Sequence, residues 1–438
     1  MQDTITDTAS CAHPPIRELL SPMTREIADI LDDVRSKFAH VDSDPFTGPR
    51  IFFENAGGAL TLKSVVETSG FFASMPDNAG RANVVGQKLV EIINKGKEDA
   101  LTFFGTGEGQ VFAGESGTEL LFRLIRTACL NAPAGPVVGS SIEHPATRSA
   151  ARRWAEETNR TYIEVTHDDA TGTVSADAYA RHLTADTAVV TILHTSPVTG
   201  MTNDVVAITQ AVRATCPDAF IIIDGIQHAS HGHIDLSAAS CDGYVVSPYK
   251  VFSRHGYGLA WASERLSGAN LEALLNGPTH NWELGTRDAG AYATFTDVVE
   301  YFEWLGGAVS DADSPRAKIE AAAKAIHVQE KTLTDALLYG TGNLPGLTEM
   351  DGVTIIGGAE NAAREGLVCF AHAQLPAEDI VAKLNAAGVR THVRKADHYS
   401  GNVLTPLGLD AAVRVSLCHY NSLEEVAAFL GAMRAISE

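Results

Sequence analysis

Long hydrophobic runs are missing from this 438-residue chain. No apolar stretch approaches the ~18 residues that suggest a membrane span. The opening residues, MQDTITDTASCAHPP, hold neither a basic n-region nor an apolar h-region, so no signal peptide is expected. Cysteine is scarce: six residues, at 11, 129, 216, 241, 369 and 418, with no C-x-x-C pair and no metal-type spacing. Scattered in this way they read as reduced thiols, and a cytoplasmic location is expected. Basic residues are outnumbered, 33 against 54 acidic, for a net charge of −21. That balance argues against nucleic acid and against an acidic membrane surface as partners.

What is present is an ordinary globular mixture, 45% hydrophobic and 20% charged, in a chain long enough for two domains. Residues 1–20 are polar and read as a loose or docking arm. Ser21-Pro22 resembles a helix start. After it, Ile27, Ile30, Leu31, Val34 and Phe38 form one apolar stripe. From about residue 50 to 270, short apolar runs at 137–142, 187–194, 219–223, 244–247 and 258–262 alternate with helical stretches such as 119–130 and 204–215. Alternation of this kind predicts an α/β fold with a mostly parallel sheet, whose ligands sit outside the carboxyl ends of the strands. The stretch 290–335 reads as helical. Beyond it the strand and helix signals suggest a smaller α+β domain, closed by a helix with the capping-box pair Ser422 and Glu425.

Chemistry concentrates at the predicted strand ends. FIIIDGIQHASH places Asp224 just past an apolar strand, where a carboxylate needs a partner. DGYVVSPYKVFSRHG places Lys250 just past another. A buried lysine can lose its proton and form a Schiff base. An aspartate beneath a pyridine nitrogen with a lysine on the aldehyde is what a pyridoxal 5′-phosphate site requires; an ion pair at a sheet edge explains the same spacing. GESGTELLFRLI sets Ser116, Gly117 and Thr118 at a helix start, suited to a phosphate or to plain capping. SSIEHPATRSAA sets His144 after a strand, where an imidazole could stack on an aromatic cofactor. His228, His231 and His233 form an H-x-x-H-x-H run that could bind metal or sit near a cofactor; no metal site is assigned to it.

The order GT, EH, DGxQ, SxxK, GT resembles the class V aminotransferase family of fold-type I pyridoxal-phosphate enzymes. Within it, the likeness is to the cysteine desulfurase and selenocysteine lyase branch, from about residue 50 to the C-terminus. The resemblance implies a large domain (51–300) with a seven-stranded, mostly parallel sheet and a small α+β domain (301–438). Residues 1–50 would be an arm and helix packing with the small domain. Lys250 would bind the cofactor and shuttle the α-proton, Asp224 would keep the pyridine nitrogen protonated, and Gln227 would bond the phenolic oxygen. His144 would stack on the ring. Gly117, Thr118 and Ser247 would hold the phosphate, with Tyr249 where desulfurases usually carry histidine. Thr286 would reach the phosphate of a neighbouring subunit in a homodimer with shared sites. Arg414 would clamp the carboxylate of an amino acid substrate, and Asn55, in NAGG, would line the substrate side.

Two departures bear on the reaction. The loop RTHVRKADHYSGNVL lacks the nucleophilic cysteine of persulfide-forming desulfurases, and Cys418 reads as a core thiol. Pro197 stands where that branch usually has asparagine. Arg390, Arg394, His398 and Tyr399 could read a polar or anionic side chain, or form a solvated loop of charges. Loss of a β-substituent, as in a C–S lyase, is the first expectation; amino transfer to a 2-oxo acid is the alternative, with racemisation third.

Overall fold

In the computed structural model, residues 23–360 and 362–437 are described. The expected arm over 1–20, the helix start at Ser21-Pro22 and Cys11 lie outside them. Seven strands make the large sheet: β1 (Gln110–Gly114), β2 (Val137–Ser140), β3 (Tyr162–Val165), β4 (Val189–Leu193), β5 (Phe220–Asp224), β6 (Gly243–Val246) and β7 (Gly258–Ala262). Their order is β1-β7-β6-β5-β4-β2-β3. The five from β6 to β3 run parallel, and β7 is antiparallel to both its neighbours. Parallel strands are covered on both faces, which is why β2, β4, β5 and β6 are buried at every position and read as unbroken apolar runs. One face carries helices Gly117–Asn131 and Pro145–Glu157, and the other carries Val84–Phe104, Val205–Thr215 and Ala289–Val309.

A second, antiparallel sheet holds β8 (Val353–Ile355), β9 (Leu367–His372), β10 (His392–Lys395) and β11 (Ala411–Ser416) in the order β8-β9-β11-β10. Helices Ala377–Ala386 and Leu423–Ser437 share its core. The closing capping box forms as read: Glu425 N–H donates to Ser422 Oγ at 3.2 Å, and Ser422 N–H to Glu425 Oε2 at 3.1 Å. A division at 300/301 falls inside one continuous helix, Ala289–Val309, because that helix packs as a single unit in the larger core. The stripe from Ile27 to Phe38 is a 3₁₀ turn, Ile27–Ile30, leading into Leu31–Ser36. Its Arg35 donates to the Tyr420 carbonyl at 2.8 Å, tying this segment to the C-terminal half.

Close helix packing rests on glycine where Ala289–Val309 meets the next helix, Pro315–Tyr339. A Cβ on Gly306 would lie 1.9 Å from the Lys318 carbonyl oxygen, whereas a Cβ on Gly431 in the last helix would meet open space. Gly306→Ala is expected to lower stability by about 1–3 kcal/mol through overpacking. Gly431→Ala is expected to raise it by up to about 1 kcal/mol. Urea denaturation followed by far-ultraviolet circular dichroism reads both, and equal midpoints for the two variants would contradict the packing account.

Candidate active site

The carboxyl ends of the parallel strands open on one pocket of about 60 Å³, lined by Thr118, His144, Pro197, Asp224, Gln227, Ser247, Tyr249 and Lys250 among others. Register brings them there. Asp224 ends β5 level with Leu193 of β4 and Val245 of β6. After β6 the chain meets Ser247 and Pro248. Proline has no N–H for a ladder, and a 3₁₀ turn, Pro248–Lys250, carries the lysine back over the strand end. Ser116 caps helix Gly117–Asn131 by accepting from Glu119 N–H at 3.1 Å. The N–H groups of Gly117 and Thr118 at the start of that helix have no intrahelical partner, and Thr118 lines the pocket. A Cβ on Gly117 would fall 2.4 Å from Ser247 Oγ, so only glycine leaves this cradle open.

Asp224 is only 2% exposed. Burial raises its carboxyl above the ordinary aspartate range, against the stabilising Ile226 N–H, the Thr147 hydroxyl and the charge of Lys250. Thr147 Oγ1 donates to Asp224 Oδ2 and Ile226 N–H to Oδ1, both at 3.1 Å. Lys250 is brought down to about 7, by burial first and then by the nearby Arg414 charge, with Asp224 opposing. Its Nζ donates to Gln227 Oε1 at 3.2 Å. Burial, with the Lys250 and Arg394 charges, lowers His144 to about 3, so its ring is neutral. Its Nδ1 accepts from Ala146 N–H at 3.2 Å. Tyr249 stacks on His255, centroids 4.3 Å apart, and Gly58 of NAGG lies against the tyrosine ring.

Arg414 reaches the site from the middle of β11. It is buried, donates to the Pro197 carbonyl at 3.0 Å, and leaves Nε without a partner. Burial and the Arg394 charge lower it to about 10. Arg394, on β10, bonds the Tyr399 carbonyl at 3.4 Å and also leaves Nε unpartnered. Among the described residues neither guanidinium forms an ion pair.

Of the predicted site residues, Lys250, Asp224, Gln227, Ser247, Thr118, His144 and Tyr249 line the pocket, and Gly117 shapes its floor. Three expected substrate-side residues do not line the pocket of this chain. Asn55 is buried and its amide is consumed internally, donating to the Ser416 carbonyl at 2.9 Å. Arg390 is held by Asp44 Oδ2 at 2.9 Å, on the two-residue pairing of Val389–Arg390 with Ile51–Phe52. His398 is exposed beside Tyr399, outside the pocket lining. Thr286 is exposed and does not line the pocket of its own chain.

The H-x-x-H-x-H rings diverge: His228 meets Glu365, His231 meets Glu330, and His233 meets Arg316. Thr147 and Thr195 were missed. Thr147 sits three residues past His144, on the first helical turn, which was the available signal. Thr195 lines the pocket two residues past the end of β4. The five described cysteines are all buried, and burial first of all raises the Cys418 thiol well above its ordinary value.

Residues 51–429 match the family described as Aminotransferase class-V. The chain is 27% identical over 405 residues to a probable cysteine desulfurase of Xylella fastidiosa, covering 88% of this chain and 90% of that protein. It is 24% identical to an aminotransferase-like protein of Gibberella zeae, covering 93% and 98%. The fold superposes on a cysteine desulfurase from Thermococcus onnurineus with a TM-score of 0.76, at 20% identity, covering 92% and 97%.

The electrostatics make one expectation measurable. Labelling of Lys250 by an amine reagent, followed in the cofactor-free protein by peptide mass spectrometry, should show a midpoint near the value of about 7 set by burial and Arg414. Arg414→Gln removes a repelling cation and is expected to raise that midpoint. A midpoint at the ordinary lysine value in the unaltered protein would contradict the burial argument.

Proposed function

Since the chain belongs to the class-V aminotransferase family, we propose that it is a pyridoxal 5′-phosphate enzyme that removes a β-substituent from a small amino acid. A C–S bond is the first candidate, and a cytoplasmic homodimer with shared sites is part of the same proposal. The observation that carries it is the pairing, in one pocket, of a lysine brought near neutrality with a buried carboxylate on the adjacent strand end.

The residues fit the group. The glycine cradle at Gly117 faces free helix N–H groups and a serine hydroxyl, which suits a phosphate. When bound, the cofactor supplies an electron-withdrawing ring that stabilises negative charge developing at the substrate Cα. Gly117, Thr118 and Ser247 would hold its phosphate, with Thr286 of a second copy reaching the same group. Asp224 would keep the ring nitrogen protonated, while the neutral His144 would cover a ring face. Gln227 would hydrogen-bond the phenolic oxygen. Arg414, without an ion pair among the described residues, would take the substrate carboxylate in a bidentate fork. Lys250 Nζ, able to shed its proton near neutral pH, would take the proton from Cα and return it later.

The loop over 391–404 carries no cysteine, and no described thiol is exposed. That favours release of the β-substituent directly to solvent over its transfer to the enzyme. The same absence keeps amino transfer to a 2-oxo acid as the second reading, in line with the aminotransferase-like relative.

A panel of amino acids incubated with the cofactor-loaded protein separates the readings. Keto acid, ammonia and a free β-group should appear without any added 2-oxo acid. Lys250→Ala should lose more than about 10³-fold in rate and retain no chromophore fixable by borohydride. Turnover that requires a 2-oxo acid acceptor would select the second reading. A persulfide on the enzyme would overturn the argument from the missing thiol.

A further inference from the structure

Hydrogen bonds continue inward from the pocket wall. Beyond the contact of Lys250 Nζ with Gln227 Oε1, the other end of that amide, Nε2, lies 3.2 Å from His231 Nε2. His231 Nδ1 in turn lies 2.8 Å from Glu330 Oε2. Gln227, His231 and Glu330 are all buried. The first two follow β5, while Glu330 belongs to helix Pro315–Tyr339, which spans the two cores. A buried carboxylate without full satisfaction is costly, yet Glu330 keeps Oε1 unpartnered. Nothing in the reading of the pocket uses this pair.

An amide nitrogen offers only hydrogens. For Gln227 Nε2 to face His231 Nε2, that ring nitrogen must be bare, so the ring proton sits on Nδ1 and is donated to Glu330. The chain then runs one way, from lysine to amide to imidazole to carboxylate. One amide hydrogen goes to His231, and the other is left for the pocket that Gln227 lines. Put a second proton on His231 and two N–H groups oppose each other. The amide must turn over, and its nitrogen then faces Lys250.

We propose that His231 and Glu330 are a positioning pair whose protonation state sets which end of the Gln227 amide faces Lys250 and the cofactor. The inference rests on the pyridoxal-phosphate reading and adds two residues to which that reading gives no role. The charged groups facing His231 are Glu330 and Glu365, which favour its cation, and Lys250, which opposes it, with His419 also near. Burial pulls His231 down, the carboxylates pull it up further, and the balance lies above the ordinary histidine value. Burial also raises the Glu330 carboxyl, and its contact with His231 opposes that rise.

Cofactor-free protein with ¹⁵N-labelled histidine tests the pair without any turnover, so a failed assignment of the reaction leaves this result readable. With His231 identified by comparison with His231→Gln, its titration should lie above the ordinary histidine value. In Glu330→Gln the midpoint should drop by about one unit or more, because burial is then less opposed. In the cofactor-loaded protein, the visible chromophore should show a step at the His231 midpoint, and Glu330→Gln should move it by the same amount. Glu330→Asp should restore it in part. An unmoved His231 midpoint, or a chromophore step that ignores a moved one, overturns the proposal. Should Glu330→Gln fail to fold, His231→Gln decides: it keeps polar partners but cannot titrate, so the step must vanish, and its persistence refutes the pair.

Discussion

Burial of opposite charges at the ends of two neighbouring parallel strands is the constraint on which the rest of this structure depends. In water an aspartate and a lysine would both be ionised, and neither would do chemistry. Closed in at the ends of β5 and β6, the carboxyl is raised and the lysine lowered to about 7. The two effects share one cause, since each charge has lost its hydration and has regained only part of it. For Asp224 that part is a backbone N–H and the Thr147 hydroxyl. For Lys250 it is one amide oxygen, while Arg414 and Arg394 push the other way. A lysine so placed offers a lone pair at neutral pH, which a nucleophilic amine needs. A sheet covered on both faces is what makes a strand end dry enough for this.

The smaller sheet serves that centre from a distance. Arg414 sits in β11, paired across Cys369 and His392, and its strand is fastened to the N-terminal segment two residues on, at Ser416. Asn55 donates to the Ser416 carbonyl, Ala56 N–H donates to Ser416 Oγ, and Ser416 N–H donates to the Phe53 carbonyl. Asn55 therefore acts on the pocket by holding the strand that delivers the arginine. The His231–Glu330 contact makes a comparable link on another side, from the loop after β5 to the long helix between the two cores. Both links are buried and polar, so a shift of one sheet against the other would strand unsatisfied groups.

Five of the seven strands of the large sheet were legible because they are apolar and buried throughout, whereas β1 and β3, which carry Gln110 and Glu164, were not read. Asp224, Lys250 and His144 were legible for a related reason, since a polar residue within a few positions of the close of an apolar run tends to lie near a strand end. Legibility failed where position depends on tertiary pairing. Arg390 and Arg394 are four residues apart and equally basic, yet one meets Asp44 and the other acts by its charge on Lys250 and Arg414, because the first belongs to the pairing with Ile51–Phe52 and the second to β10. His398 lies beyond the end of β10, where nothing in the local pattern says whether the turn folds inward. Thr147 was hidden among ordinary helix residues, its hydroxyl given meaning only by a carboxylate 77 positions away.

Charge inventory inside the pocket narrows what the site can hold. A protein with a net charge of −21 brings the Arg394 and Arg414 guanidiniums close enough to push on Lys250 and leaves both without an ion pair among the described residues. Buried cations are normally paired, so an anionic ligand would suit them. A phosphate seated at the helix Gly117–Asn131 answers the helix end, not Arg414, which lies on the opposite lobe and faces Pro197. In the proposed function the anion at Arg414 would come from the substrate, and an α-carboxylate is the group every amino acid provides. In the proposed reaction, with every described thiol buried, the bond that breaks would release a fragment stable on its own in water. On that proposal the pocket would fix one end of the substrate by charge and leave the other to depart.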